Sequence, residues 1–203
     1  MKNIAILFIT LCLISCKKEA VYGPLKLKDG EKVELLVDHR YGGDKDILLK
    51  LPEKELAGAS LVGFDQREPG YTYRIKAIFH NEENPPQDGP SYYFVFKDVI
   101  SKAQYKGNES FEVQLIRSYI PGGPFIMLNK LADQYYFSND IALTYANSTV
   151  QNSLEEIWQD VVEVRANWKN GQQPKWKSIK ATVVHDPQKF GKAYLVQQLT
   201  FTQ

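Results

Sequence analysis

Glu68-Pro69-Gly70-Tyr71-Thr72-Tyr73-Arg74-Ile75-Lys76-Ala77-Ile78-Phe79-His80 decides the fold class. After the Pro-Gly turn, Tyr73, Ile75, Ala77 and Phe79 alternate with Arg74, Lys76, Ile78 and His80. An apolar period of two places one set of side chains on each face of a half-buried strand. Val33, Leu35 and Val37 repeat the pattern upstream, and Tyr92 to Val99 is rich in aromatic and β-branched residues. Between them lie two short apolar stretches, Asp46 to Leu51 (stopped by Pro52) and Ser60 to Phe64. Gly42-Gly43, Pro69-Gly70 and Asn84-Pro85-Pro86-Gln87-Asp88-Gly89-Pro90 supply the turns. Five short strands in residues 31–105 predict a small β-sandwich or partly open barrel.

Lys106-Gly107-Asn108 reads as a boundary, and residues 108–203 predict a second β-rich module. Phe111 to Tyr119 alternates like one strand, Phe125 to Leu131 is apolar, and Tyr135 to Phe137 and Ile141 to Tyr145 are strand-like. One helix is expected over about 153–165, capped by Ser153 with Glu156 reciprocating. Its apolar stripe is Leu154, Ile157, Trp158, Val161 and Val162, with Glu155 and Gln159 off the stripe. Val162-x-Val164-x-Ala166-x-Trp168 offers a competing strand reading. Gln173 to Ala181 echoes Glu68 to Ala77, and each is followed by a His, a Pro-containing loop and an aromatic strand. A repeated unit with a helix inserted in the second copy would read this way.

In the first module the motifs carry a resemblance. Gly63-Phe64-Asp65, Glu68-Pro69-Gly70-Tyr71, Asn84-Pro85-Pro86-Gln87-Asp88-Gly89 and Tyr92-Tyr93-Phe94-Val95 follow one another in order. Residues 31–104 thus resemble the bacterial envelope family catalogued as domain of unknown function number 4377. The resemblance implies a small secreted or lipid-anchored module. That family has no assigned catalytic residues.

The N-terminus carries a second signature. Lys2 precedes the apolar run Ile4 to Ile14, and Leu13-Ile14-Ser15-Cys16 follows the lipobox pattern of bacterial lipoproteins. About 11 apolar residues rise only some 16 Å as a helix, about half a bilayer's hydrocarbon. Residues 1–15 are therefore expected to be a signal peptide, and Cys16 the lipidated N-terminus. Residues 16–30 read as a lipidated tether, and Lys17-Lys18-Glu19 resembles the surface-export signals of Bacteroidota lipoproteins. The only other cysteine, Cys12, leaves with the signal, so the anchored part would have no free thiol and no disulfide. The expected location is the cell envelope, lipid-anchored at the outer membrane and facing the periplasm or the surface.

Charge narrows the partners. Lys2 is the only charge in the leader, so the remainder carries equal numbers of basic and acidic side chains. Without a basic stripe, nucleic acid is not an expected partner. The membrane, reached through the lipid on Cys16, and an envelope protein or glycan are the expected ones. His80 with Glu82 and Glu83 lacks helical metal-ligand spacing and reads as a solvated acidic turn. Asp38-His39-Arg40-Tyr41-Gly42-Gly43-Asp44-Lys45-Asp46 reads as a hairpin tip, and His185-Asp186 lacks a nucleophile partner. No metal site, cofactor or catalytic residue is therefore expected. Among the aromatics, Tyr71, Tyr92, Tyr93 and Trp176 are the ligand-contacting candidates, with Tyr73, Tyr135, Tyr136 and Trp168 in the same turn-and-strand group. The sequence thus points to a lipid-anchored binding or accessory module. The alternatives are a structural or stress-protective accessory of an envelope protein, and a hydrolase or hydrolase inhibitor.

Overall fold

The computed structural model describes residues 20–42, 48–87, 89–119, 123–138 and 140–203. The expected signal peptide, Cys16 and Asp46 lie outside them. Strands take 48% of residues and helix 13%, in line with a mainly β chain. Two six-stranded sheets form, and one of them curls into a half-barrel.

The first sheet uses β1 (Lys32–Val37), β2 (Leu48–Leu51), β3 (Glu55–Leu56), β4 (Ser60–Val62), β5 (Tyr71–Asn81) and β6 (Tyr92–Gln104), in the order β3-β2-β1-β5-β6-β4. Its alternation is realised as read: Tyr73, Ile75, Ala77 and Phe79 are buried, while Arg74 and Lys76 face out. Val33, Leu35 and Val37 lie opposite Ala77, Ile75 and Tyr73 on the same buried face. Residues 22–30 correct the tether reading. Tyr22 and Leu27 form a β-bridge, Leu27 is 3% exposed, and Tyr22 and Leu25 pack on the first core. Their apolar side chains draw this stretch onto the module.

The second sheet uses β7 (Phe111–Gln114), β10 (Leu128–Leu131), β11 (Gln134–Phe137), β12 (Ile141–Tyr145), β13 (Ser178–His185) and β14 (Ala193–Thr202), in the order β10-β11-β12-β14-β13-β7. The single strand expected over Phe111 to Tyr119 divides at the buried Leu115. β7 pairs with β13, while β8 (Ile116–Tyr119) pairs with β9 (Gly123–Ile126) in a separate ribbon. The Leu115 N–H bonds the Ile179 carbonyl, and its own carbonyl accepts from Met127 N–H, so the chain turns there from sheet to ribbon.

The two sheets share a strand plan. In the first, β1 and β5 are antiparallel, β5 and β6 antiparallel, and β6 and β4 parallel. In the second, β7, β13, β14 and β12 repeat those relations in that order. The echo between Glu68–Ala77 and Gln173–Ala181 leads into equivalent strands, β5 and β13. The helix lies in the second unit between β12 and β13.

That helix, α1, spans Ser148–Ala166, five residues earlier than expected at its start. Asn147 is its N-cap, its side-chain oxygen accepting from Val150 N–H at 3.0 Å. Ser153 lies inside the helix, and Glu156 pairs with Lys175 instead. Val150, Leu154, Ile157 and Val161 form the buried stripe, whereas Trp158 is half-buried and Val162 exposed. Asp160 is buried beside this stripe, accepting from Lys175 N–H at 3.0 Å. Burial raises the Asp160 pKa against that bond. Past Ala166 the chain makes a 3-10 turn, Trp168–Asn170, in place of the alternative strand.

Candidate functional site

Val161, Val164, Arg165 and Trp168 follow one another at helical spacing and line one flank of α1 and the turn beyond it. Phe125 and Ile126 of β9 form the facing wall. Because β9 alternates, Ile126 points inward at 4% exposure while Phe125 is 47% exposed; Trp168 is 58% exposed. The groove between the walls holds about 370 Å³, within the range of ligand-binding clefts. Among the described residues Arg165 is the only charged one lining it, and its guanidinium lies 5.5 Å from the Trp158 ring centroid. Among the described residues no carboxylate pairs with Arg165.

A second hollow of about 580 Å³ lies on the outer face of the first sheet, lined by Lys32, Glu34, Lys76, Ile78 and Lys97. Among the described residues it has no aromatic side chain and no paired carboxylates in its lining, and Glu34 is engaged by Arg74.

The other concentration of polar chemistry is the seam between the modules. His39 and His185 are each 9% exposed, with His39 Nδ1 and His185 Nε2 2.8 Å apart. Tyr105 stacks on His39 at 3.5 Å between centroids, and Phe111, Phe190 and Tyr194 ring His185. Tyr194 Oη donates to the Tyr41 carbonyl at 2.6 Å, and Tyr41 packs on the second core. Gly70 and Gly42 allow the close approach. Both have positive φ, and a Cβ at either would meet Phe190 or Phe137 at 2.6 Å.

Burial lowers the pKa of both imidazoles, that of His185 to about 4, with His39 adding to the effect. For Asp38, burial opposes ionisation, but hydrogen bonds from Arg40 outweigh it and hold the pKa below the usual range. Among the described residues no nucleophile is hydrogen-bonded to the imidazole pair, and no three His, Cys, Asp or Glu converge as a metal would need. His80 divides its two nitrogens between Asp29 at 3.2 Å and Glu82 at 3.8 Å, so those groups do not converge either.

The chain matches no protein-family model, no curated protein and no solved structure. No helix among the described residues is long and apolar enough to cross a membrane.

The four aromatic candidates do not form one surface. Trp176 is 5% exposed and packs on Phe201, so it belongs to the second core and not to a ligand face. Tyr71 lies between Phe190 and the Lys102 ammonium, Tyr92 packs against the first core, and Tyr93 meets His80. Trp168 is the aromatic that reaches the groove, joined by Phe125 and Arg165, which composition did not single out.

Proposed function

We propose that this chain is a lipid-anchored cell-envelope module, held by Cys16, that binds a partner protein in the groove between α1 and β9. The occupant is a segment presenting an apolar side chain beside a carboxylate. The exposure of Phe125 and Trp168 across a common cleft carries this reading. Exposed apolar surface that is concave and rimmed by polar groups marks an interaction site. Arg165 suits the helix C-terminus electrostatically. Among the described residues it also gives the groove a single cation with no carboxylate beside it, which a partner's acid complements. Two exposed aromatics on facing walls serve no comparable structural purpose. Among the described residues the lining has no carboxylate pair, His or Ser, which weighs against hydrolysis, and no polar row of the kind a sugar face requires. The lipobox residues Leu13 to Cys16 support the anchor.

Anilinonaphthalene sulfonate combines an apolar ring system with one anion and is a direct probe of the groove. It should bind saturably at a single site. Trp168→Ala and Phe125→Ser should each weaken binding roughly tenfold, and Arg165→Gln by a smaller factor. Binding that is non-saturating, or equal in all four proteins, refutes the groove as the docking site.

A further inference from the structure

His39 and His185 sit where strand alternation carries them. Val33, Leu35, Val37 and His39 form one buried series, and Ile179, Ala181, Val183 and His185 another. The first series belongs to the first module and the second to the second, so the imidazole hydrogen bond crosses the seam. Tyr71 against Phe190 and Tyr194 Oη on the Tyr41 carbonyl cross at the same place.

Of the two tautomer arrangements open to a neutral pair, Asp38 favours one. His39 Nε2 faces Asp38 Oδ1 at 3.9 Å, which favours a proton on that nitrogen. His39 Nδ1 then accepts, and His185 Nε2–H donates. His185 Nδ1 is left, buried and without a hydrogen-bond partner among the described residues. Three of the four ring nitrogens are occupied, so a further proton must go to His185 Nδ1, among the rings of Phe111, Phe190 and Tyr194.

The charged and titratable neighbours offer that proton no acceptor. Asp38 is bound by Arg40, and its backbone carbonyl by Arg67. Asp186 Oδ2 accepts from Thr144 and Oδ1 from Gln188 N–H. Glu109 accepts from the Tyr105 hydroxyl, and the Tyr194 hydroxyl is turned to Tyr41. A buried cation with an unpaired N–H is unstable, whereas the same imidazole opened to water is not.

We propose that the His39–His185 pair is a pH-operated latch between the two modules, closed when both rings are neutral and released when the pair takes up a proton. The change biases the seam, while each sheet keeps its own core.

Spin labels on the full chain at Leu56 and Leu131 test the latch, one exposed position on each module. At about pH 7.5 the inter-label distance distribution should be narrow. At about pH 4.5 a broader, longer population should rise at least roughly tenfold, and reversibly. Its midpoint should coincide with protonation of His185 Nδ1 followed by nitrogen NMR in the same protein. His185→Phe, which keeps a ring in the cage but cannot titrate, should hold the narrow distribution at both pH values. A wild-type distribution indifferent to pH overturns the latch. So does broadening whose midpoint differs from the His185 titration, or identical broadening in a folded His185→Phe protein.

Discussion

Glu155 accepts hydrogen bonds from Lys130, Tyr135 and Gln159, and so fastens β10 and β11 to α1. Those bonds, Lys130's first, lower its pKa to about 2, while burial and then Glu155 raise Tyr135 to about 12. A helical wheel places Glu155 off the apolar stripe with Gln159 and treats the two alike. The structure separates them. Because the carboxylate is partly exposed, solvent screening holds its value to about 1 kcal/mol, so Glu155→Ala should cost about that much and Gln159→Ala no more than about 0.5 kcal/mol. The two depressed pKa values occupy different pH windows. His185 is neutral in the fold, so its contribution, on the order of 2–3 kcal/mol, is complete above about pH 6.5 and lost as pH falls toward 4. Glu155 is ionised in the fold, and its contribution is present above its ordinary pKa of about 4.5 and lost as pH falls toward 2. Urea melts across pH should show both descents, with His185→Phe removing the upper one and Glu155→Gln the lower. Gly70→Ala should destabilise by about 1–3 kcal/mol, combining positive φ with a clash against Phe190.

At the scale of elements, α1 gives the sharpest contrast. Leu154 and Ile157 are fully buried in the second core, so truncating either to Ala should cost about 2–5 kcal/mol. Trp158 only packs on that core's edge, and Trp158→Ala should cost roughly half as much; Val162→Ala should stay within about 0.5 kcal/mol. Denaturant melts of the four variants check the order. Most strands were legible because alternation at period two is set by burial on one face, as in β1, β5 and β13. The start of α1 was not, because both Asn147 and Ser153 suit a cap and Val150 adds an inward turn that the stripe from Leu154 did not need. The break at Leu115 was illegible for another reason: β7 and β8 read as one alternating run, and only their partners, β13 and β9, send them apart. The histidine pair left a trace, since His39 and His185 each continue an apolar series by one place. Their meeting, 146 residues apart in sequence, belongs to the tertiary fold.

For the whole molecule, two similarly wired sheets meet at a polar seam, and an apolar groove opens between α1 and β9. The groove combines Phe125 with Val164, Arg165 and Trp168 from the C-terminal end of α1 and the turn after it, a juxtaposition that linear composition does not reveal. Anchoring has its own check: mass spectrometry of the mature N-terminus should find acylated Cys16, and Cys16→Ala should leave the precursor unlipidated and uncut. Docking in the groove is the central claim, and a photo-crosslinking residue placed at 168 in living cells tests it most directly. Position 131, also exposed, on β10, is the control. The account predicts one discrete protein adduct at position 168, lost with Phe125→Ser and absent from position 131. The same adducts at both positions, or none at 168 in correctly folded and anchored protein, would contradict it.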